Sequence, residues 1–271
     1  MRVEVLADSV NPGGDRLTTF QLRFPRFILP QLNTYGMLSR SVRSSRAVPT
    51  EKLIAEVEAT PFIPKEWRER QKGMTAGEPL DGGALWAAHA IWRQARNEAT
   101  RRARRLLDLK VAKEHVNRLL EPFAYADAVL TGTEHELGHM LRQRTRDDAQ
   151  PEFQELATLM LGALANSTPV ERGVGDWHLP YVPDQEQEYH VEYADGAPED
   201  LPYISAGRCR RVSYKPFGDE HPDRKKDVER GQECRKDGHW SPLEHPAMAC
   251  AVSRHYAKLR GWMSLRHQLG H

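Results

Sequence analysis

A short stretch rich in arginine and serine is the first candidate for chemistry. Residues 40–46 hold three arginines and three serines, namely Arg40, Ser41, Arg43, Ser44, Ser45 and Arg46. Arginine presents a planar fork of N–H donors that suits phosphate oxygens and keeps its charge, and serine hydroxyls add directional donors. Solvated surface turns have the same composition. The stretch alone therefore leaves two interpretations open, a phosphate site and a basic turn.

A second candidate is the sequence His135-Glu136-Leu137-Gly138-His139, which has the H-E-x-x-H form of zinc peptidases. On a helix, two histidines four residues apart lie on one face and can bind zinc, while the glutamate acts as a base. No third ligand follows at the spacing of the longer zincin motif, although His178, His190 and Glu171 lie downstream. A zinc metalloprotease is therefore an alternative that the pattern does not decide.

Composition limits the class of protein. The chain has 271 residues, 39% of them hydrophobic and 28% charged, which fits one large domain or at most two. A formal net charge of +1 argues against a general nucleic-acid coat, so an anion site must be local. We expect neither a nucleic-acid nor a membrane partner, and a cytoplasmic location, since no apolar run approaches the roughly 20 residues of a membrane span and the N-terminus lacks a signal-peptide pattern.

The three cysteines, Cys209, Cys234 and Cys250, show no C-x-x-C spacing. They predict neither a disulfide framework nor a zinc ribbon, and a reducing compartment fits them.

The elements that position the candidates follow from the apolar pattern. In the first third of the chain it predicts strands over 2–7 and 17–24, a helix or helical turn over 25–38, a helix over 48–58 and a loop over 61–83. Later it predicts a helix of roughly seven turns over 85–106, helices over 110–120, 124–141 and 151–166, and a long linker over 167–202. The helix over 124–141 would carry the H-E-x-x-H sequence.

The order Phe27, Gln31, Ser39, Ser44 and Arg46, after a predicted strand, resembles the signature of flavin-dependent thymidylate synthases, the ThyX family, and in particular its divergent phage branch. That signature reads Arg-His-Arg, seven residues, then Ser and shortly afterwards Arg. Here the serine is Ser44 and the later arginine is Arg46. The triplet is replaced by Thr34-Tyr35-Gly36, so the nucleotide-binding positions are kept while the flavin-facing triplet is not.

Two further segments extend the resemblance. The segment NRLLEPF is similar to the family's Ala-Arg-x-x-Leu-Pro element, with Arg118 as its arginine, and Arg144 followed by Ala149, Gln150 and Glu152 resembles its Leu-Arg…Ala-Gln-x-Glu element. The C-terminal part resembles the segment with which ordinary members begin. The matching residues there are Ser213, His239, Ser241, Pro242, Glu244 and His245.

This resemblance implies an α+β, ThyX-like fold, mainly antiparallel sheet with long helices. Because the family's first segment stands last, it also implies a circularly permuted order. The nucleotide-binding core would be 1–166, the joint 167–202, and 203–271 would complete the same domain.

The resemblance also implies an activity and a set of roles. A one-carbon unit passes from methylenetetrahydrofolate to C5 of a pyrimidine deoxynucleotide monophosphate, most readily dUMP, and FAD carries reducing equivalents from NADPH. Family members are homotetramers. We expect no metal ligands. The resemblance implies that the phosphate and sugar of the nucleotide contact Ser44, Ser45, Arg46 and Arg118, and that its ring end contacts Gln31 and Arg144. The residues implied at FAD are Ser213, Ser241, Glu244, His139 and His135. The implied catalytic residues are Arg144, Ser44 and Tyr35, with the Tyr35 ring where the family has an imidazole.

The lost triplet leaves other outcomes open. The substrate could be dCMP, or dUMP could be hydroxymethylated without the final reduction, as suits a phage that modifies its DNA inside its host's cytoplasm. A non-catalytic subunit that binds nucleotide is a third outcome, and the zinc metalloprotease is the fourth.

Overall fold

A computed structural model of the chain describes residues 1–73, 76–193, 197–212 and 223–271, of which 190–193 are described by their main chain only. Within these residues no helix combines the length and the apolar character needed to cross a membrane.

A five-stranded sheet forms the centre of the molecule. Its strands are β1 (Arg2–Val10), β2 (Arg16–Pro25), β3 (Ser39–Val42), β4 (Tyr125–Thr133) and β5 (Val170–Glu171), in the order β3-β4-β2-β1-β5. All neighbours pair antiparallel except β1 and β5, which are parallel. The predicted α+β class with a mainly antiparallel sheet is therefore confirmed.

Helices cover this sheet and connect its strands. They are α1 (Leu29–Asn33), α2 (Thr50–Ala59), α3 (Gly82–Asp108), α4 (Lys113–Val116), α5 (Glu134–Arg144), α6 (Pro151–Ala165), α7 (Asp184–Tyr193), α8 (Leu201–Arg210), α9 (Arg224–Lys236) and α10 (Leu265–Gln268). Short 3-10 helices are Arg26–Ile28, Ser45–Ala47, Asn117–Phe123, Pro198–Asp200 and Ser241–Glu244. The predicted strands at the N-terminus and the helices predicted over 48–58, 85–106 and 151–166 are confirmed, each within a few residues.

Two small sheets lie in the C-terminal part. One pairs β6 (Trp177–His178) with β7 (Ala247–Ala249) and β7 with β10 (Trp262–Ser264), and the other pairs β8 (His255–Tyr256) with β9 (Leu259–Arg260). The segment 167–202, predicted as a linker, thus contains β5 of the five-stranded sheet, β6 of the three-stranded sheet and the helix α7.

The prediction of one helix over 124–141 is wrong, because its first half is the strand β4. Residues 126–133 are all buried, so β4 lacks the alternation of a half-exposed strand, and its apolar residues Ala128, Val129 and Leu130 stand in one short run. Periodicity cannot separate such a run from a buried helix. The β-branched Val129, Thr131 and Thr133 favour the strand, and the helix α5 begins directly after them.

Side chains on the two faces of β2 separate the core from the site. Phe20, Leu22 and Phe24 are fully buried against residues of α5 and α6. The alternate positions point the other way, where Thr19 meets His178 and Gln21 accepts a hydrogen bond from the Tyr181 hydroxyl. One face of the central sheet is therefore apolar and the other carries polar groups.

Two glycines allow α8 and α9 to pack closely. A Cβ atom at Gly207 would overlap the carbonyl oxygen of Asp227, and one at Gly231 would overlap that of Tyr203. The buried Arg208 joins the two helices through Asp227, at 2.9 Å. This pair carries Arg210 and the following His239 segment to the site described below.

We expect Gly231→Ala to lower the free energy of unfolding by about 1–3 kcal/mol, because the methyl group must push the two backbones apart. The matched control is Gly162→Ala in α6, where nothing lies within 4 Å of the added methyl group. There the helix propensity of alanine should leave stability unchanged or raise it by up to about 1 kcal/mol. Urea unfolding of both variants provides the measurement, and equal midpoints would contradict this account of the packing.

Candidate functional site

A basic cavity lies between β3, the start of α2, the end of α8 and the residues just before β7. Its volume is about 550 Å³. The polar side chains that line it come from both ends of the chain and are Ser41, Arg43, Ser44, Lys52, Arg210, Arg211, His239 and Ser241. The predicted nucleotide residue Ser44 and the predicted flavin residue Ser241 thus share one cavity.

Positive charge exceeds negative charge at this basic cavity. Arg43 is paired with Glu56 at 2.6 Å and approaches Asp127 at 3.6 Å, and Arg210 is paired with Glu233 at 2.7 Å. Lys52 is exposed and makes no ion pair with any residue of the described ranges. Among the described residues, no acidic side chain lines the cavity itself. Guanidinium, ammonium and hydroxyl donors in this arrangement suit phosphate oxygens.

A buried chain of hydrogen bonds reaches the basic cavity through the central sheet. Seven side chains form it, with heavy-atom distances of 2.6–3.2 Å, and in order they are Ser9, His178, Thr19, Thr131, His245, Ser41 and Ser241. The last two hydroxyls line the cavity. The chain therefore fixes the position of Ser241 from within the protein.

Both histidines of this chain are fully buried. Burial lowers the pKa of His178 to about 3 and that of His245 to about 4, because an imidazolium loses its hydration there. Each ring is therefore neutral near pH 7 and has one donor and one acceptor nitrogen. Both nitrogens of each ring are engaged by hydroxyl groups.

A second group of predicted residues surrounds Arg144 at the end of α5. Its Nε donates to the Tyr35 hydroxyl at 2.6 Å, its Nη1 donates to Gln31 Oε1 at 3.3 Å, and its guanidinium lies 4.7 Å from the centre of the Phe153 ring. Gln31 in turn donates to Gln150. The structure thus brings the predicted Gln31, Tyr35 and Arg144 together.

A third feature, here called the histidine cleft, has a volume of about 400 Å³. It lies beside Tyr35, whose ring meets the edge of His139 at a centroid distance of 6.2 Å. The cleft is lined by Thr34, Tyr35, Gly36, Met37 and Leu38 from the loop after α1, by His135, Glu136 and His139 from α5, and by His255 from β8. The H-E-x-x-H sequence therefore faces this cleft.

The zincin interpretation lacks a ligand set in the ranges that the structure describes, where no three His, Cys, Asp or Glu side chains are arranged to hold a metal ion. Of the downstream candidates, His178 belongs to the buried chain, Glu171 is exposed on β5, and the His190 side chain lies outside the description.

Several predicted residues lie elsewhere. Ser45 and Arg118 both donate to the Glu121 carboxylate, at 2.7 and 2.9 Å, and the exposed Arg46 lies 3.7 Å from Glu114. None of these three side chains lines the basic cavity.

Glu244, a predicted flavin contact, is buried and paired with Lys258 and Arg266. These partners lower its pKa although burial acts in the opposite sense, which is the environment of a structural carboxylate. Ser213 lies outside the described residues.

Sequence reasoning missed three groups that the fold brings to the basic cavity and the histidine cleft, namely Lys52, Arg210 and His255. Arg43 belongs to the basic stretch that the sequence singled out. Lys52 is a single cation and Arg210 is one of three arginines at 208–211, and nothing in either neighbourhood distinguishes them from other surface cations. Only the fold, which brings α2 and the end of α8 to one cavity, reveals them.

Comparison with known families gives the class of this chain. Residues 17–170, more than half of the sequence, match the family of thymidylate synthase complementing proteins. The chain therefore belongs to this family, which is the ThyX family, and the resemblance found from the motifs is confirmed. The match ends before the C-terminal segment, so the circular permutation stays a prediction.

Solved structures of similar fold include a UMP/dUMP methylase, PolB from Streptomyces cacaoi, bound with 5-Br UMP. It is 21% identical, its match covers 60% of this chain and 88% of PolB, and the TM-score is 0.51. ThyX from Helicobacter pylori, solved with FAD and dUMP, is 16% identical over 55% of this chain and 67% of its own, with a TM-score of 0.40. A search of curated proteins finds no match.

Because His178 and His245 are buried, we expect the free energy of unfolding to fall in acid. The unfolded chain binds protons on them near pH 6.5, whereas the folded pKa values are about 3 and about 4. The stabilisation is thus complete above pH 6.5 and is lost as the pH falls toward 4, with a slope of about 1.4 kcal/mol per pH unit for each histidine. Urea unfolding at several pH values should show this loss.

Substituting His178→Gln should make that slope shallower, because the amide can bond to both hydroxyls but does not titrate. The control is His115→Gln, since the side chain of His115 is 72% exposed. An unchanged slope in His178→Gln would show that this histidine is not the source of the acid sensitivity.

Proposed function

We propose that this protein transfers a one-carbon unit to C5 of a pyrimidine deoxynucleotide monophosphate, with dUMP as substrate and thymidylate as product. Membership of the thymidylate synthase complementing family supports this class of reaction. The observation that carries the proposal is the basic cavity, in which Ser44 and Ser241 meet although 197 positions of the sequence separate them.

The basic cavity supplies the anion site that the substrate needs. Ser44, Arg43 and Lys52 line one wall, and a nucleotide phosphate there would meet fixed N–H and O–H donors. A local site of this kind fits the small net charge of the whole chain, +1. Arg118 and Arg46 do not line the cavity, and each has a carboxylate neighbour, Glu121 and Glu114 respectively. They could reach a bound phosphate only after leaving these carboxylates.

Arg144 is the group proposed for the ring end of the nucleotide. As C5 becomes nucleophilic, negative charge develops on a ring carbonyl oxygen, and a guanidinium held in place beforehand stabilises it without further reorganisation. Tyr35, Gln31 and the Phe153 ring hold Arg144 from three sides. One of its terminal nitrogens, Nη2, has no partner among the described residues, so it remains available to the substrate.

FAD is the proposed redox cofactor, with NADPH as the source of its reducing equivalents and methylenetetrahydrofolate as the one-carbon donor. Bound flavin would supply the electrons that convert the transferred methylene to a methyl group. The donor set fits this cofactor, because Arg210, His239 and Ser241 offer donors to a pyrophosphate. His135 and His139, at the mouth of the histidine cleft, offer flat side chains to the ring system.

The assembly proposed is a homotetramer. In a single chain Ser44 lines the basic cavity, whereas Arg144 lines neither this cavity nor the histidine cleft. A neighbouring subunit would be needed to bring both onto one nucleotide. The proposed permuted order is supported by the hydrogen bond between Ser41 on β3 and Ser241, which joins the two family segments in space.

Mass spectrometry of dUMP and dCMP after incubation with the purified protein, methylenetetrahydrofolate, FAD and NADPH tests the proposal. We expect dUMP to gain one methyl group and dCMP to remain unchanged. Methylation of dCMP would show that the proposed substrate is wrong, and a hydroxymethyl product would show that the proposed product is wrong. Tight nucleotide binding without any product would identify a non-catalytic subunit.

Arg144→Gln should lower kcat by about 10²–10³-fold while leaving dUMP binding within a few-fold, because its charge matters most in the transition state. Ser44→Ala should instead raise KM for dUMP. Arg146→Gln is the matched control, since Arg146 is an exposed arginine of the same segment paired only with Asp148. A kcat of Arg144→Gln equal to that of the control would remove Arg144 from the reaction.

A further inference from the structure

A buried carboxylate lies at the base of the histidine cleft. Glu136 is only 6% exposed, and its Oε2 atom has no hydrogen-bond partner among the described residues. The imidazole of His255 is close, but its Nε2 lies 4.0 Å from Oε1 and is therefore beyond hydrogen-bond distance. An enclosed carboxylate oxygen without a partner is costly, and burial raises the pKa of Glu136 although the main-chain N–H of Glu136 itself acts in the opposite sense through a hydrogen bond.

The groups that face Glu136 leave it in need of a donor. His135 on its own helix, His255 on β8 and Arg260 on β9 act on it through space only, and none donates a hydrogen bond to it. The Oε2 atom has no hydrogen-bond partner among the described residues. A ligand in the cleft can therefore donate to Oε2 without displacing a protein donor from that atom.

The walls of the histidine cleft suit a flat ring. Tyr35, Met37 and Leu38 form an aromatic and apolar side, and a volume of about 400 Å³ is within the range of small-molecule sites. His135 and His139 are exposed at the mouth. A planar heterocycle could thus lie against Tyr35 with one polar edge pointing to Glu136 at the base.

The chemistry of that edge can be specified. A carboxylate pairs in a bidentate manner with two neighbouring N–H donors, as in a guanidine. An imide edge, such as that of uracil or flavin, has carbonyl oxygens on both sides of its single N–H and would place them against the carboxylate oxygens. A pterin has a guanidine-type edge, formed by its ring N3–H and its 2-amino group.

We propose that the histidine cleft binds the pterin ring of the one-carbon donor, with Glu136 accepting hydrogen bonds from N3–H and the 2-amino group. The choice of a pterin among heterocycles with this edge rests on the proposed function. The flavin ring remains assigned to the mouth of the cleft, beside His135 and His139.

Two readily available compounds show whether the cleft prefers a guanidine-type edge or an imide edge. Pterin has the guanidine-type edge, and lumazine is the same ring system with an imide edge. Equilibrium binding of each to the whole protein, followed by ring fluorescence, should show a preference for pterin of about tenfold or more. This measurement on the unsubstituted chain requires no variant, so it does not depend on whether any substitution folds.

Glu136→Gln should reverse that preference. The glutamine amide has one acceptor and one donor, which match an N–H and a carbonyl oxygen of the imide edge but leave one pterin donor opposed by an NH₂ group. We expect pterin affinity to fall by about 10- to 100-fold and lumazine affinity to rise. Glu134→Gln, an exposed glutamate of α5 that does not line the cleft, should change neither affinity.

A chain that binds both probes equally, or a Glu136→Gln variant that still prefers pterin, would overturn the inference. So would stoichiometric zinc binding that disappears in His135→Ala, since the cleft would then hold a metal. The methylation assay on the same preparations keeps the two proposals apart. Pterin binding that depends on Glu136 without methyl transfer contradicts the function alone, and methyl transfer without this dependence contradicts the inference alone.

Discussion

The pairing register of β2 with β4 is the constraint on which the rest of the site depends. It places Thr19 directly opposite Thr131, so that their hydroxyls meet in the middle of the sheet and connect His178 on one side with His245 on the other. A shift of one residue would turn these hydroxyls toward the apolar core. The two histidines would then lose their partners, and Ser41 and Ser241 would lose the contact that orders them.

The same register explains how a chain with almost no net charge can present a cationic cavity. The hydroxyl groups on the polar face of the sheet join β3 to the Ser241 segment. The helix α2 brings Lys52 to one side of the basic cavity, and α8 brings Arg210 to the other. Acidic partners hold Arg43 and Arg210 from behind, outside the cavity. Arg43 and Arg210 are therefore oriented by ion pairs whose carboxylates do not line the cavity and so do not compete with a bound anion.

Much of the fold could be predicted from the sequence, and the failures have physical causes. Strand β2 alternates cleanly and was found, whereas β4 is buried on both faces and resembles a buried helix. The segment 167–202 has few apolar pairs, so the pairing of its two short strands, which depends on distant partners, left no local trace. Motif order singled out Ser44 and Ser241, which share the basic cavity, and Arg144, which lies outside it. Glu136 and His255 come together only through the packing of α5 against the β8–β9 hairpin.

Gly132 lies in β4 at a point where the loop that carries Tyr35 crosses it. A side chain there would overlap Leu38 and approach Leu137, so the loop rests directly on the strand backbone. One methyl group at this position would displace the Leu38 side chain, which lines the histidine cleft beside Tyr35. The contour of the cleft wall therefore depends on a missing side chain in the interior of the central sheet, next to the Thr131 hydroxyl.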